Sequence, residues 1–122
     1  MGTAPAKDFR DLLVWQKSHQ LTLLVYNISS SFPKEERYGV TSQMRRAAAS
    51  IPANIAEGFA RISNKNKVTF YNISQGSLSV LKYFIILPRD LGYHKRHEEL
   101  WTLAGEVSKL ITALIKSIDK CR

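Results

Sequence analysis

An all-α, antiparallel up-down four-helix bundle is the fold this sequence predicts, and three observations predict it. Apolar residues recur at spacings of three and four through four separate stretches of the 122-residue chain. Proline, glycine or short polar clusters separate those stretches. No stretch alternates apolar and polar residues over a useful length, so strands are not expected. Helices of this kind joined by short turns pack as neighbours running up and down. A hydrophobic fraction of 44% supports one core, in a single domain over residues 11–120 behind a tail at residues 1–10.

The first stretch, residues 11–31, sets Val14, Leu21, Leu24, Val25, Ile28 and Phe32 at helical spacing, and Pro33 stops it because proline cannot continue a helix interior. Gly39 and Thr41 introduce the second, with Thr41 read as its N-cap. Met44, Ala48, Ile51, Ile55, Phe59 and Ile62 then share one face. The third follows Ser63 and Asn64 and runs to about Leu91, with Phe70, Ile73, Ser77, Leu81, Phe84, Ile85 and Pro88 along its inner stripe and Gly92 as its C-terminal cap glycine. The fourth, residues 97–120, repeats Leu100, Leu103, Val107, Leu110, Ile111, Leu114 and Ile118.

Pro52 and Pro88 fall inside two of these helices. Each removes one backbone hydrogen bond and clashes with the preceding turn, at a cost of roughly 3 kcal/mol. The apolar rows keep their phase across both, so they read as kinks, with Ser50 supplying a local hydrogen bond at the first. Opposite the Ile51 face lies a row of Ala49, Ala53, Ala56 and Ala60, which has two readings. It is either an exposed face filled by helix propensity or a small-residue seam where a neighbouring subunit approaches. The third helix is apolar nearly all round over residues 80–87, with Lys82 the exception, and needs a second partner for that reason. Tyr83 and Ile86 join the alanine row as expected contacts of a homo-oligomer.

Charge narrows the partners. The chain carries 18 Lys and Arg against 10 Asp and Glu, a formal net charge of +8. Between Gly58 and His97 seven basic residues face Asp90 alone, which favours a polyanion. Arg37, Arg45, Arg46, Arg61, Lys65 and Lys67 are the candidate phosphate contacts, with Tyr38 and Tyr71 able to stack on bases. Arg46 projects away from the core stripe beside the alanine row, so a subunit contact competes with a phosphate contact there. The single cysteine, Cys121, gives no disulfide framework and suits a reducing cytoplasm. The first residues lack a signal-peptide run, Ala6 breaks the myristoylation pattern, and no apolar run is long enough to span a bilayer.

Signals for catalysis are thin. His94 and His97 at i, i+3 are a fragment of a metal pattern, but a solvated helix start explains them better. Glu57 is placed to pair with Arg61 at i+4. No glycine-rich phosphate loop or nucleophile elbow occurs, so neither cofactor nor metal is expected and the chain reads as a non-enzyme. Residues 50–71 scan superficially as a helix-turn-helix, which requires a tight turn near Gly58.

The runs "DLLVWQKSHQL", "FPKEERYGVTSQMRRAAASIPANIAEGFAR", "QGSL" and "LGY" resemble the bacterial four-helix-bundle proteins encoded in 23S rRNA intervening sequences. The likeness extends from Asp11 to about Ile118 and rests on Trp15, Tyr38, Gly39, Arg45, Arg46, Pro52, Asn54, Glu57, Gly58, Gly76, Ser77 and Leu78. Val80 and Lys82 stand where relatives carry two acids, and Pro88 replaces a helix former. The resemblance implies a cytoplasmic bundle that assembles as a ring, typically a pentamer, without established enzymatic activity and with a role in binding RNA or other nucleic acid. It also implies kinship with the accessory variability protein of diversity-generating retroelements, a basic partner of a reverse transcriptase. The alternative function is therefore an adaptor that docks a nucleic-acid enzyme.

Overall fold

The computed structural model describes residues 5–120, which form helices α1 (Leu13–Ser29), α2 (Val40–Ala60), α3 (Asn64–Asp90) and α4 (His97–Lys120). Short 3-10 turns at Phe9–Asp11 and Lys34–Glu36 precede α1 and α2, and no strand occurs among the described residues. Cys121 lies outside them, as do the first four residues on which the leader and myristoylation readings partly rest. None of the helices is long and apolar enough to cross a membrane.

Each helix packs on the next and α4 packs back on α1, so the four enclose one core. Leu21, Val25, Met44, Ile51, Ile55, Leu81, Ile85, Leu100, Val107 and Ile111 are wholly buried in it. Burying a side chain of this size stabilises by about 1.5–3 kcal/mol, and these residues supply most of the driving force. Side-chain contacts set the register between helices. Thr22 meets Ala48 and Ser29 meets Arg45 across α1 and α2, while Ser74 meets Ile51 and Ser77 meets Ser50 across α3 and α2. Gln75 reaches Ser108 of α4, and Lys17 of α1 reaches Glu106.

Pro52 sits buried inside an unbroken α2. The carbonyl it leaves without a partner is that of Ala48, four residues earlier. Thr22 of α1 lies 3.1 Å from that carbonyl through its hydroxyl, which also lies 2.9 Å from the Ser18 carbonyl. The relief is thus tertiary, from a neighbouring helix. Ser50, expected to provide it locally, is instead hydrogen-bonded to Ser77 and to the Asn54 amide. Continuity through Gly58 also removes the tight turn that a helix-turn-helix requires.

Several sequence expectations are corrected. Gly39, not Thr41, occupies the N-cap of α2, and Thr41 is buried one residue inside the helix. Glu36 of the preceding 3-10 turn takes the capping role, accepting from the Val40 N–H at 3.3 Å. Ile62 is not on the core face: α2 ends at Ala60, the chain turns extended at Arg61, and Ile62 is 98% exposed. The first half of α3 faces the core with Tyr71, Ser74 and Leu78, while Ile73 is exposed. Close packing against α2 selects that face. Tyr71 fits over Gly58, where an added Cβ would lie 2.6 Å from its ring, and Ser74 donates to the Ile51 carbonyl at 2.9 Å. Gly92 does end α3 as expected: at φ +82° it lets the Tyr93 N–H reach the Pro88 carbonyl and its own N–H reach that of Arg89.

Candidate nucleic-acid interface

The six candidate cations fall into two groups at opposite ends of α2. Arg37, Arg45 and Arg46 surround its start; Arg61, Lys65 and Lys67 follow its end. Fifteen helical steps separate Arg46 from Arg61, or about 22 Å along the axis. The basic excess between Gly58 and His97 is likewise spread along the whole length of α3.

At the far end two of the three cations are engaged. Lys67 donates to the Phe59 carbonyl at 2.8 Å and lies 3.3 Å from that of Gly58, so it neutralises the C-terminus of α2. Arg61 pairs with Glu57 and lies over the Phe70 ring. Of these three, Lys65 has a side chain without a hydrogen bond or ion pair among the described residues. Tyr71, named as a stacking residue, is 2% exposed, and its burial pushes the hydroxyl pKa up.

The near end is different. The last turn of α1, the 3-10 turn and the first turns of α2 form a corner with two adjoining concavities of about 550 and 320 Å³. Lys34, Arg37, Arg45 and Arg46 contribute to their walls together with Tyr26 and Tyr38, and no carboxylate lines either one among the described residues. Glu36, the acid nearest in sequence to Arg37, is held elsewhere: its carboxylate accepts from the Tyr93 hydroxyl at 2.9 Å and from the Val40 N–H.

Arg45 is fixed in place. Its Nε donates to Ser29 Oγ at 2.8 Å, its Nη2 to the Tyr26 carbonyl at 3.3 Å, and its guanidinium lies 4.7 Å from the centre of the Tyr26 ring. A cation there also offsets the negative end of the α1 dipole. Arg46 and Lys34 have no side-chain hydrogen bond or ion pair among the described residues, and Arg37 contacts only the Tyr38 ring, at 5.6 Å. Tyr38 is 87% exposed. The corner therefore offers one preset guanidinium, three unneutralised cations and an open aromatic ring. Lys34 and Tyr26 were not singled out in the sequence; their closeness to "RYG" and to the last turn of α1 was the available signal.

The expected oligomer contacts are also dispersed. Ala49, Ala53 and Ala56 line a groove with Phe9 and Trp15 of the same chain, Ala53 exposed and the other two half-buried, whereas Ala60 is exposed beyond it. Tyr83 is exposed on α3 in line with Val80 and Ile73, and Ile86 is half-buried. Glu57, His94 and His97 do not converge on one site. Glu57 lies near the end of α2, while His94 packs beside Phe32 at the opposite end. Both His94 ring nitrogens meet backbone, the Ile85 carbonyl at 3.1 Å and the Arg96 N–H at 3.1 Å, and His97 stacks on Trp101.

The family model for 23S rRNA-intervening sequence protein matches residues 10–113. A crystal structure of a protein of unknown function from the S23 ribosomal protein family of Bacteroides thetaiotaomicron VPI-5482 shares the fold, with a TM-score of 0.78 at 23% identity, over 85% of this chain and 99% of that one. None of the curated proteins matches.

Proposed function

This chain belongs to the 23S rRNA-intervening sequence protein family, and from that membership and the geometry of the α1–α2 corner we propose that it is a non-enzymatic RNA-binding protein. Four cations and two tyrosines around concavities free of carboxylate are the observation that carries the reading. Arg37, Arg46 and Lys34 neutralise phosphates, and Arg45 presents a guanidinium already ordered by Ser29 and Tyr26, so binding spends little entropy on it. Phosphate contacts of this kind position a nucleic acid without specifying its sequence.

The protein acts as an antiparallel four-helix bundle assembled into a cytoplasmic homo-oligomeric ring, the pentamer its family implies. Support comes from α3, where Ile73, Val80 and Tyr83 leave apolar surface in water along one outer face. A ring also repeats the basic corner, which raises avidity for a long polyanion.

Sedimentation equilibrium beside an RNA titration with 23S rRNA fragments at two salt concentrations tests both parts. The expected result is a discrete oligomer whose RNA affinity falls steeply with salt. A monomer refutes the ring, and an absence of salt-sensitive affinity at low ionic strength refutes RNA binding.

A further inference from the structure

Resting on the reading of the corner as an RNA site, we infer that this corner selects unpaired RNA and takes one nucleotide at a time, its base against Tyr38 and its flanking phosphates on Arg37 and Arg46. Three observations combine. Tyr38 leaves 87% of its surface in water although the bundle offers an apolar core close by. It stands on the short connection between α1 and α2, where the rigid ends of both helices hold it over the basic concavity. That concavity, about 550 Å³, falls within the range of small-ligand sites, ~300–1,000 Å³. It has room for a single nucleotide and not for a stacked helix.

The chemistry of the walls decides between single and double strands. Cations alone would serve either, because both present phosphates. An exposed tyrosine ring adds affinity only for a base whose face is open, and in duplex RNA the base faces are stacked on one another. Arg37 covers one side of the Tyr38 ring at 5.6 Å, which leaves the other side for a base and keeps a guanidinium beside its phosphate. Arg45, tied to Ser29 and Tyr26, forms the fixed inner wall of the same space.

Fluorescence anisotropy with a single-stranded oligouridylate and a blunt RNA duplex of equal length, at one salt concentration, tests this. The full-length protein is expected to bind the single strand at least tenfold more tightly. Tyr38→Ala should bring the two affinities towards parity, and Tyr38→Phe should keep the preference, since stacking needs the ring and not the hydroxyl. Circular dichroism controls for folding, although so exposed a side chain contributes little to the core. Equal affinity of the wild-type protein for both RNAs overturns the selection of unpaired RNA while RNA binding stands. A preference that survives Tyr38→Ala also overturns it. If neither RNA binds at low ionic strength, both the selection and the RNA-binding reading fall.

Discussion

At the scale of single residues, Gly58 and Tyr71 are one fitted contact. A Cβ at position 58 would lie 2.6 and 2.9 Å from ring atoms of Tyr71 and 3.2 Å from the Lys67 carbonyl, and the ring is buried. Gly58→Ala should therefore destabilise by about 1–3 kcal/mol despite the better helix propensity of alanine. Gly105→Ala, with nothing within 4 Å of the added carbon, should stabilise by about 0.5–1 kcal/mol. Urea denaturation of both variants measures these opposite signs. Two tyrosines make stability depend on alkaline pH. Tyr71 is raised above the usual 10.0 by burial, and Tyr93 chiefly by its hydrogen bond to the Glu36 carboxylate. Both favour the protonated tyrosine in the folded state. Their contribution is fully present below pH 10, the unfolded value, and is lost as pH rises through the higher folded values. The urea midpoint should fall above pH 10, and less steeply in Tyr93→Phe. A midpoint that falls equally in both proteins refutes the Tyr93 share.

At the scale of elements, α2 is held by a bond that no local rule anticipates. Thr22 serves the carbonyl that Pro52 leaves free, so the two substitutions should be coupled. Thr22→Val should cost about 1–3 kcal/mol, the penalty of an unserved buried carbonyl. In a Pro52→Ala background the restored N–H takes that carbonyl, and the same substitution should cost much less. A double-mutant cycle by chemical denaturation gives the coupling, and additive costs would contradict it. Helix existence was legible in the sequence because a period near 3.6 is a property of one segment. The bounds of α3 and α4 and the cap glycine Gly92 were readable for the same reason. The inward face of α3 was not. Tyr71 and Ser74 face the core because α2 presents Gly58 and the Ile51 carbonyl there, and that fit belongs to the pair of helices. Ile62 misled because the apolar phase ran on past the point where the backbone turned at Arg61.

At the scale of the whole molecule, sequence proximity and spatial proximity diverge most for charge. Arg45 and Arg46 are neighbours in the chain, yet one is tied to the end of α1 and the other carries no ion pair among the described residues. Arg61 and Lys67 resemble phosphate contacts in sequence but serve Glu57 and the C-terminus of α2. What the sequence left open is which cations are spent on the fold, because that depends on helix ends meeting in space. Of the six candidates, the unspent Arg37 and Arg46 lie at the α1–α2 corner with Lys34 beside them, and Lys65 stands apart at the other end. That division gives the most direct test of the central claim, the dependence of RNA affinity on salt in paired variants. For single-stranded RNA each phosphate contact contributes about 0.7 to the slope of log affinity against log salt. Arg37→Ala/Arg46→Ala should flatten the slope by about 1.4, two contacts' worth, and weaken binding at low salt. Lys65→Ala should leave both nearly unchanged. The account is contradicted if the corner variant keeps the wild-type slope, or if Lys65→Ala flattens it as much.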